Sequence, residues 1–201
     1  MHALAKDCSN LGASIFENSK FISYQIDGGR INSRVFNGNE MVKVQSEKIV
    51  FATGGYGGKE IKDLKNYWLP IKTFIGVTKP LGNELHSVLK KPIGFSDNRR
   101  AGNYYRVLPG NRLSWGRGIS AVGKFTSLSL KRAISKEISY FFPELRNVEI
   151  DYVWSGNMAY ASHYMPYVGS IKIGNEEKNV FTLMGFGGHG MNTAPGSAMV
   201  L

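Results

Sequence analysis

Apolar and polar positions along this chain alternate in short blocks, which predict strands, a few isolated helices and many glycine-marked turns. Met1 to Leu11 reads as a helix: Leu4, Cys8 and Leu11 recur at three- and four-residue spacing, and Gly12 stops the run. A short strand is expected at Ser14 to Glu17. Phe21 to Ile26 and Ile31 to Phe36 flank Gly28-Gly29, which predicts a hairpin with a two-residue turn. Asn37-Gly38 marks another turn before a strand at Met41 to Val44. Lys48 to Phe51 opens an apolar strand that runs into Ala52-Thr53-Gly54-Gly55. Thr73 to Thr78 is the next strand, and Lys79-Pro80 and Leu81-Gly82 punctuate the chain after it.

A second hairpin is expected from Asn103 to Leu108 and Arg112 to Trp115, across Pro109-Gly110-Asn111. Phe125 to Phe142 carries the clearest helical period. Leu130, Ile134, Ile138 and Phe141 mark one apolar face, and Pro143 ends the helix. Val148 to Trp154 alternates with period two, and Val180 to Met184 is a final apolar strand. His189 to Leu201 has the composition of a helix start, interrupted by Pro195 and Gly196. No internal repeat is present. Hairpins mixed with isolated helices predict an α+β fold rather than a doubly wound parallel sheet.

With 42% hydrophobic and 12% aromatic residues, the chain has the material for a core and is not of a disordered class. The net charge of +10 admits nucleic acid, an anionic membrane or an acidic ligand as partner. The basic pairs Lys90-Lys91, Arg99-Arg100 and Lys131-Arg132 are scattered, and no nucleic-acid-binding signature accompanies them. A solvated basic surface is therefore the expectation, with a basic nucleic-acid-binding domain as the disfavoured alternative. Cys8 is the sole cysteine, so an internal disulfide and a multi-cysteine metal site are both excluded, and the residue is expected inside its helix face. No stretch is long and apolar enough to span a membrane, and the start lacks the pattern of a signal peptide, which predicts a cytoplasmic protein.

The densest chemical signal is Gly185-Phe186-Gly187-Gly188-His189-Gly190-Met191, directly after an apolar strand. Glycines remove side chains where backbone must turn or approach a ligand, and a helix start supplies free N–H groups and a positive dipole end. That suits a phosphate or the electron-rich edge of a flavin. A tight glycine turn without a ligand is the ordinary alternative. The spacing matches neither a Walker loop nor the Rossmann fingerprint. Val50-Phe51-Ala52-Thr53-Gly54-Gly55-Tyr56 is a second strand that ends in glycines.

Phe142-Pro143-Glu144-Leu145, Trp154-Ser155-Gly156, Pro166-Tyr167-Val168-Gly169 and Gly185 to Gly190 follow one another in an order that resembles the D-amino-acid oxidase-like flavoenzymes. The resemblance is greatest to their gamma-glutamylputrescine oxidase and sarcosine oxidase-like branch. Two earlier segments agree: Leu4 to Glu17, a helix followed by Gly-x-x-Ile-Phe-Glu, and the hairpin of Tyr104-Tyr105-Arg106 with Gly110 to Gly116. The resemblance covers nearly the whole chain and corresponds to the later portion of a family member.

It implies non-covalent FAD and oxidation of a C–N bond in a small amine or amino acid by hydride transfer to the flavin. Thr53, Gly54, Gly185, Phe186, Gly187, Gly188, His189, Gly190 and Met191 are then the cofactor-binding residues. Tyr105, Arg106 and His163 are the candidate catalytic residues, Arg106 as the partner of a substrate carboxylate. Trp154 is either pocket wall or core. Sarcosine oxidase-type relatives attach flavin through a cysteine before Pro-x-x-Gly; Met158 to Met165 contains none. The resemblance further implies three parts. Residues 1–56 are a partial FAD-binding domain with an inserted hairpin, 57–155 a mixed-sheet substrate domain, and 156–201 a return to the FAD-binding domain. The N-terminal Rossmann βαβ unit is missing, which predicts a fragment, inactive alone, that needs an N-terminal FAD-binding half. A non-catalytic subunit or a decayed copy beside a separate FAD-carrying chain is the rival reading.

Overall fold

The computed structural model describes residues 2–57, 64, 67–99, 102–121, 125–171 and 179–201. Met1, expected in the first helix, lies outside them. Helix α1 (His2–Asn10) leads to strands β1 (Lys20–Asp27), β2 (Arg30–Phe36) and β3 (Met41–Ser46), which form an antiparallel meander. Gly28 and Gly29 join β1 to β2 with φ of 55° and 78°. A two-residue turn of this hand matches strand twist and needs positive φ at both positions, which glycine adopts without strain.

Strand β4 (Ile49–Phe51) follows, then β5 (Trp68–Thr78), the short helix α2 (Glu84–Val88), β6 (Gly94–Ser96), β7 (Tyr104–Leu108) and β8 (Arg112–Ser120). Helix α3 (Ser127–Phe141) is followed by β9 (Ile150–Ala161), β10 (Tyr167–Ser170), β11 (Val180–Met184) and helix α4 (Gly190–Val200). Two further sheets result, one ordered β10-β11-β4 and one ordered β6-β7-β8-β5-β9. The second is antiparallel throughout, whereas β11 and β4 run parallel. The fold is thus the expected mixture of helices and several sheets.

Two hydrophobic cores hold it. One contains Ile31, Phe51, Trp68, Val180 and Met184, and joins the meander to the β10-β11-β4 sheet. The other lies between the five-stranded sheet and α3, with Trp115, Ile134, Ile138 and Ile150 at its centre. A capping box opens α3: Thr126 Oγ1 accepts the Ser129 N–H at 3.1 Å, and Ser129 Oγ accepts the Thr126 N–H at 3.2 Å. Leu130, Ile134 and Ile138 are buried as the period predicts, but Phe141 is 39% exposed. Phe142 replaces it in the core, leaving the helical geometry at the C-cap to pack edge-on against Tyr105 and Trp115.

The structure corrects other expectations. Ser14 to Glu17 is irregular, with Ile15 and Phe16 exposed, because a strand needs a ladder and no described strand pairs with it. Helix α1 buries none of its residues, and Cys8 is only half-buried. Strands β5 and β9 are longer than alternation indicated, since each continues along the other through Trp68↔Ala161. Pro70 is tolerated in β5 because β8 pairs only from Lys72 onward, so at Pro70 the strand has a neighbour on one side only.

Two predictions follow from this packing. An alanine Cβ at Gly76 would lie 2.8 Å from Ile134 Cδ1 and 3.3 Å from Ile150 Cγ2. Gly76→Ala is expected to cost about 1–3 kcal/mol by overpacking; a denaturation midpoint equal to that of the parent would contradict this. Asp97 Oδ2 accepts from Asn103 N–H and Arg99 Nε at 2.9 Å each, and also pairs with Arg99 Nη2. The Arg99 guanidinium, and next the Asn103 N–H, hold the Asp97 carboxyl down to about 2 from the ordinary 3.8. A depressed folded value means that this stabilisation is present above 3.8 and fades as pH falls through about 2. An NMR titration of Asp97 should have its midpoint near 2 rather than 3.8, and the stability difference between parent and Asp97→Asn should shrink over that window.

Candidate active site

The site is built where two strands end side by side. Ile49, Val50 and Phe51 of β4 pair in parallel with Val180, Phe181 and Thr182 of β11. Both strands therefore release the chain at the same edge, the carboxyl-terminal edge at which open sheets bind ligands. Beyond β4 come Thr53 and Gly54; beyond β11 come Gly185 to Gly190. Thr53 Oγ1 lies 3.5 Å from Met184 Sδ, so the two segments touch at their origin.

The first segment is fastened to β9. Gly54 has φ of 57° and begins a 3-10 turn, Gly54–Tyr56. A Cβ at Gly55 would lie 2.7 Å from the Asn157 carbonyl carbon and 2.8 Å from that of Met158, so backbone packs on backbone here. Tyr56 Oη accepts the Asn157 N–H at 3.1 Å.

The second segment is fastened to the same strand. Gly187 N–H donates to Ala159 O at 2.8 Å, and Phe186 bridges Tyr160. Gly185 and Gly187 have φ of 83° and 59°. A Cβ on Gly187 would press on the Tyr160 ring at 3.1 Å, whereas one on Gly188 would only reach Met158 Sδ at 3.7 Å and Tyr160 Oη at 3.8 Å. His189 caps α4 through its backbone: its carbonyl accepts from Asn192 N, Thr193 N and Thr193 Oγ1 at 3.2, 3.3 and 2.9 Å. Its ring makes no cap bond, and it and Met191 are exposed. The N–H groups of Gly190 and Met191 lie in the first helical turn, where intrahelical acceptors do not exist. The result is a cradle walled by glycine backbone and open N–H groups, with the uncharged side chains of Met158 and Tyr160 behind it. That composition fits a flat, electron-rich ring edge or a phosphate.

Strand β9 carries the cradle to the open face of the five-stranded sheet. Val153 packs into the core under α3, so its neighbours Tyr152 and Trp154 point the other way, 59% and 49% exposed. Strand β7 divides in the same manner. Tyr105 faces the core, stacked between Phe95 at 5.4 Å and Trp115 at 4.6 Å. Tyr104 and Arg106 face outward, and the Tyr104 ring covers Gly116 with its hydroxyl 3.4 Å from Thr73 Oγ1. Thr53, Gly54 and Gly185 to Met191 are thus brought together. Tyr105 and Arg106 lie on opposite faces of a strand three places from β9.

His163 occupies the exposed β9–β10 loop. Its Nδ1 accepts the Met165 N–H at 3.2 Å, and its ring packs on Tyr167, 4.5 Å between centroids. Tyr167 in turn borders Gly185, so His163 adjoins the cradle through one intervening ring. Met158, Tyr160 and Tyr56 belong to the site and escaped the sequence reading. The period-two run from Trp154 to Tyr160 carried the signal, obscured by the small and polar residues Ser155 to Asn157. Among the described residues no helix is long and apolar enough to cross a membrane, and no cluster of His, Cys, Asp or Glu is suited to a metal.

The chain is similar to known proteins in sequence and in fold. A probable oxidoreductase, OrdL, of Haemophilus influenzae is 28% identical over 193 residues, which is 94% of this chain and 42% of that protein. The gamma-glutamylputrescine oxidoreductase of Escherichia coli is 27% identical over 151 residues, 74% of this chain and 34% of its own length. This chain therefore spans less than half the length of these relatives. The crystal structure of glycine oxidase from Geobacillus kaustophilus superposes with a TM-score of 0.76 at 19% identity, over 98% of this chain and 50% of that one. The family described as FAD dependent oxidoreductase (DAO) matches residues 1–201. The chain belongs to this DAO family of FAD-dependent oxidoreductases, whose cofactor is FAD.

Proposed function

We propose that this chain is the later portion of an oxidoreductase that oxidises a C–N bond of an amine or amino acid. The observation that carries the reading is the parallel β4–β11 pair, which sets two glycine-lined segments at one edge beside β9. Thr53, Gly54 and Gly185 to Met191 are the proposed holders of FAD. The Gly188 surface gives a flat ring room to approach, and the Gly190 and Met191 N–H groups orient its electron-rich edge. Binding is non-covalent with respect to cysteine, since residues 158–165 contain none.

When bound, FAD supplies a two-electron acceptor for the hydride equivalent leaving the carbon next to nitrogen. The nitrogen lone pair then forms C=N, and water adds to release a carbonyl compound and an amine. The chain's own residues position the reacting carbon and exclude competing contacts. Met158 and Tyr160 wall the reacting end without charge, and Arg106 fixes an anionic group of the substrate. Tyr105, stacked in the core, holds β7 in place for Arg106. His163 accepts the Met165 N–H on Nδ1 and packs on Tyr167 beside the cradle, where its imidazole is the proposed proton-transfer group for the substrate amine or its hydrolysis water.

The division into residues 1–56, 57–155 and 156–201 forms part of this reading, with β9 running from the second part into the third. So does an N-terminal nucleotide-binding Rossmann half. The exposed Leu4, Leu11, Phe16 and Met199 on and beside α1 and α4 support a covering partner of that kind. Without that half the chain is expected to be inactive. A small-molecule substrate, with neither nucleic acid nor membrane as partner, and a cytoplasmic setting complete the proposal.

Two measurements test it. In the full-length protein, anaerobic addition of an amine or amino acid should bleach the flavin absorbance near 450 nm, roughly the band any oxidised flavin shows; a flavin that no amine reduces would overturn the reading. Gly188→Ala should leave the fold intact, because its Cβ meets nothing closer than 3.7 Å. It should nevertheless weaken FAD retention about tenfold, or ~1.4 kcal/mol. Unchanged flavin content would remove Gly188 from the cofactor site.

A further inference from the structure

We propose that the outer face of the β1–β2–β3 meander binds the phosphate of a small sugar phosphate between Arg34 and Lys43. Ile31 and Ser33 of β2 are 0% and 6% exposed and face the core, so Asn32 and Arg34, which alternate with them, face outward. Arg34 pairs in register with Lys43 of β3. Side chains directly opposite one another leave the same face with Cβ atoms about 5 Å apart, and like charges so placed repel. Among the described residues neither cation forms an ion pair. Of the nearby carboxylates, Asp27 stands opposite Arg30 at the far end of the hairpin, and Glu40 in the β2–β3 turn forms no ion pair either. A bound anion turns this repulsion into two attractive contacts.

The cation pair sits in a concavity rather than on a flat sheet. The register of β1 against β2 shifts between Phe21 and Ser23. This bulge lets Phe21 and Tyr24 both pack on Phe51 while Ser23 turns outward, opposite Arg34. Ser23, Gln25, Asp27, Asn32, Arg34 and Lys43 line a cavity of about 330 Å³, which is small-ligand size. Its polar groups are graded along the strands. Two residues from the cations, about 7 Å, Gln25, Asn32 and Gln45 share a rung. Arg30 Nη1 donates to Gln45 Oε1 at 3.4 Å, and Gln45 Nε2 donates to Asn32 Oδ1 at 3.3 Å. The chain of amides leaves the Asn32 NH2 to donate outward, and Gln25 both donates and accepts. Asp27, two residues further, only accepts. Phosphate oxygens engage Arg34, Lys43 and the Ser23 hydroxyl together, and sugar hydroxyls satisfy the amides and the carboxylate. Asp27 repels a second anionic group at its end, so a ligand with one phosphate fits better than nucleic acid or an acidic peptide.

The test uses the flavin-loaded full-length protein, so that the FAD site is already filled. In calorimetric titration, glucose-6-phosphate should bind at a single site about tenfold or more tighter than inorganic phosphate, and glucose should not bind. Arg34→Gln and Lys43→Gln should each weaken glucose-6-phosphate binding about tenfold, the scale of one charge-assisted contact. Both side chains are exposed, so the variants should fold and retain flavin. Thermal melting supplies a second readout. Without ligand, Lys43→Gln should melt no lower than the parent, because it removes the like-charge pair. Glucose-6-phosphate should raise the Tm of the parent and leave that of the double variant unchanged. Absence of glucose-6-phosphate binding, or binding unaltered in both variants, would overturn the inference. So would inorganic phosphate or an oligoglutamate peptide binding as tightly as glucose-6-phosphate. Neither readout involves amine oxidation, so failure here leaves the C–N reading untouched.

Discussion

Parallel pairing between β4 and β11, two strands far apart in the chain, fixes where everything else in the site must lie. Parallel strands cannot be joined by a tight turn, and the chain builds the whole five-stranded sheet and α3 between them. Because both point the same way, the segments that leave them meet at one edge, and Thr53 reaches Met184 there. Antiparallel pairing would have sent Gly54 and Gly187 to opposite ends of the sheet. The pairing is held by the core of Phe51, Val180 and Met184, so burial of apolar surface, not polar contacts in the site, sets the geometry.

Strand β9 is the second organising element. It belongs to the five-stranded sheet, yet its later half accepts the Gly187 N–H, forms the Phe186 bridge and donates the Asn157 N–H to the Tyr56 hydroxyl. It therefore couples the glycine cradle to the open sheet face. Residues on that face are ordered by rung and by strand, which sets Arg106 of β7 and Met158 of β9 far apart. The sheet's other face is closed by α3, whose Ile134 and Ile138 pack in one core with Trp115 and Ile150.

Much of this was legible in the sequence. Val180 to Met184 was bounded to the residue, and the Gly28-Gly29 hairpin followed from turn chemistry alone. The glycines of residues 185–190 announced a backbone-lined site, and the order of loose motifs pointed to the family that matches the chain. What the sequence could not reveal depends on partners distant in the chain. Alternation says that Tyr104 and Tyr105 face opposite ways, but not that α3 covers the Tyr105 side. Ser14 to Glu17 has strand-like composition, and only the absence of a neighbouring ladder among the described residues leaves it irregular. The separation of Arg106 from Met158 depends on strand order, which no local pattern encodes.

The central claim is that the segments after β4 and β11 together hold the flavin. Hydrogen–deuterium exchange of the full-length protein with and without FAD tests it most directly, because bound ligand slows exchange where backbone N–H groups are sequestered. FAD should protect two separate stretches in this chain, residues 52–57 and 185–192, and leave the β1–β2 turn unchanged. Protection confined to other parts of the chain, with both glycine segments exchanging as before, would contradict it.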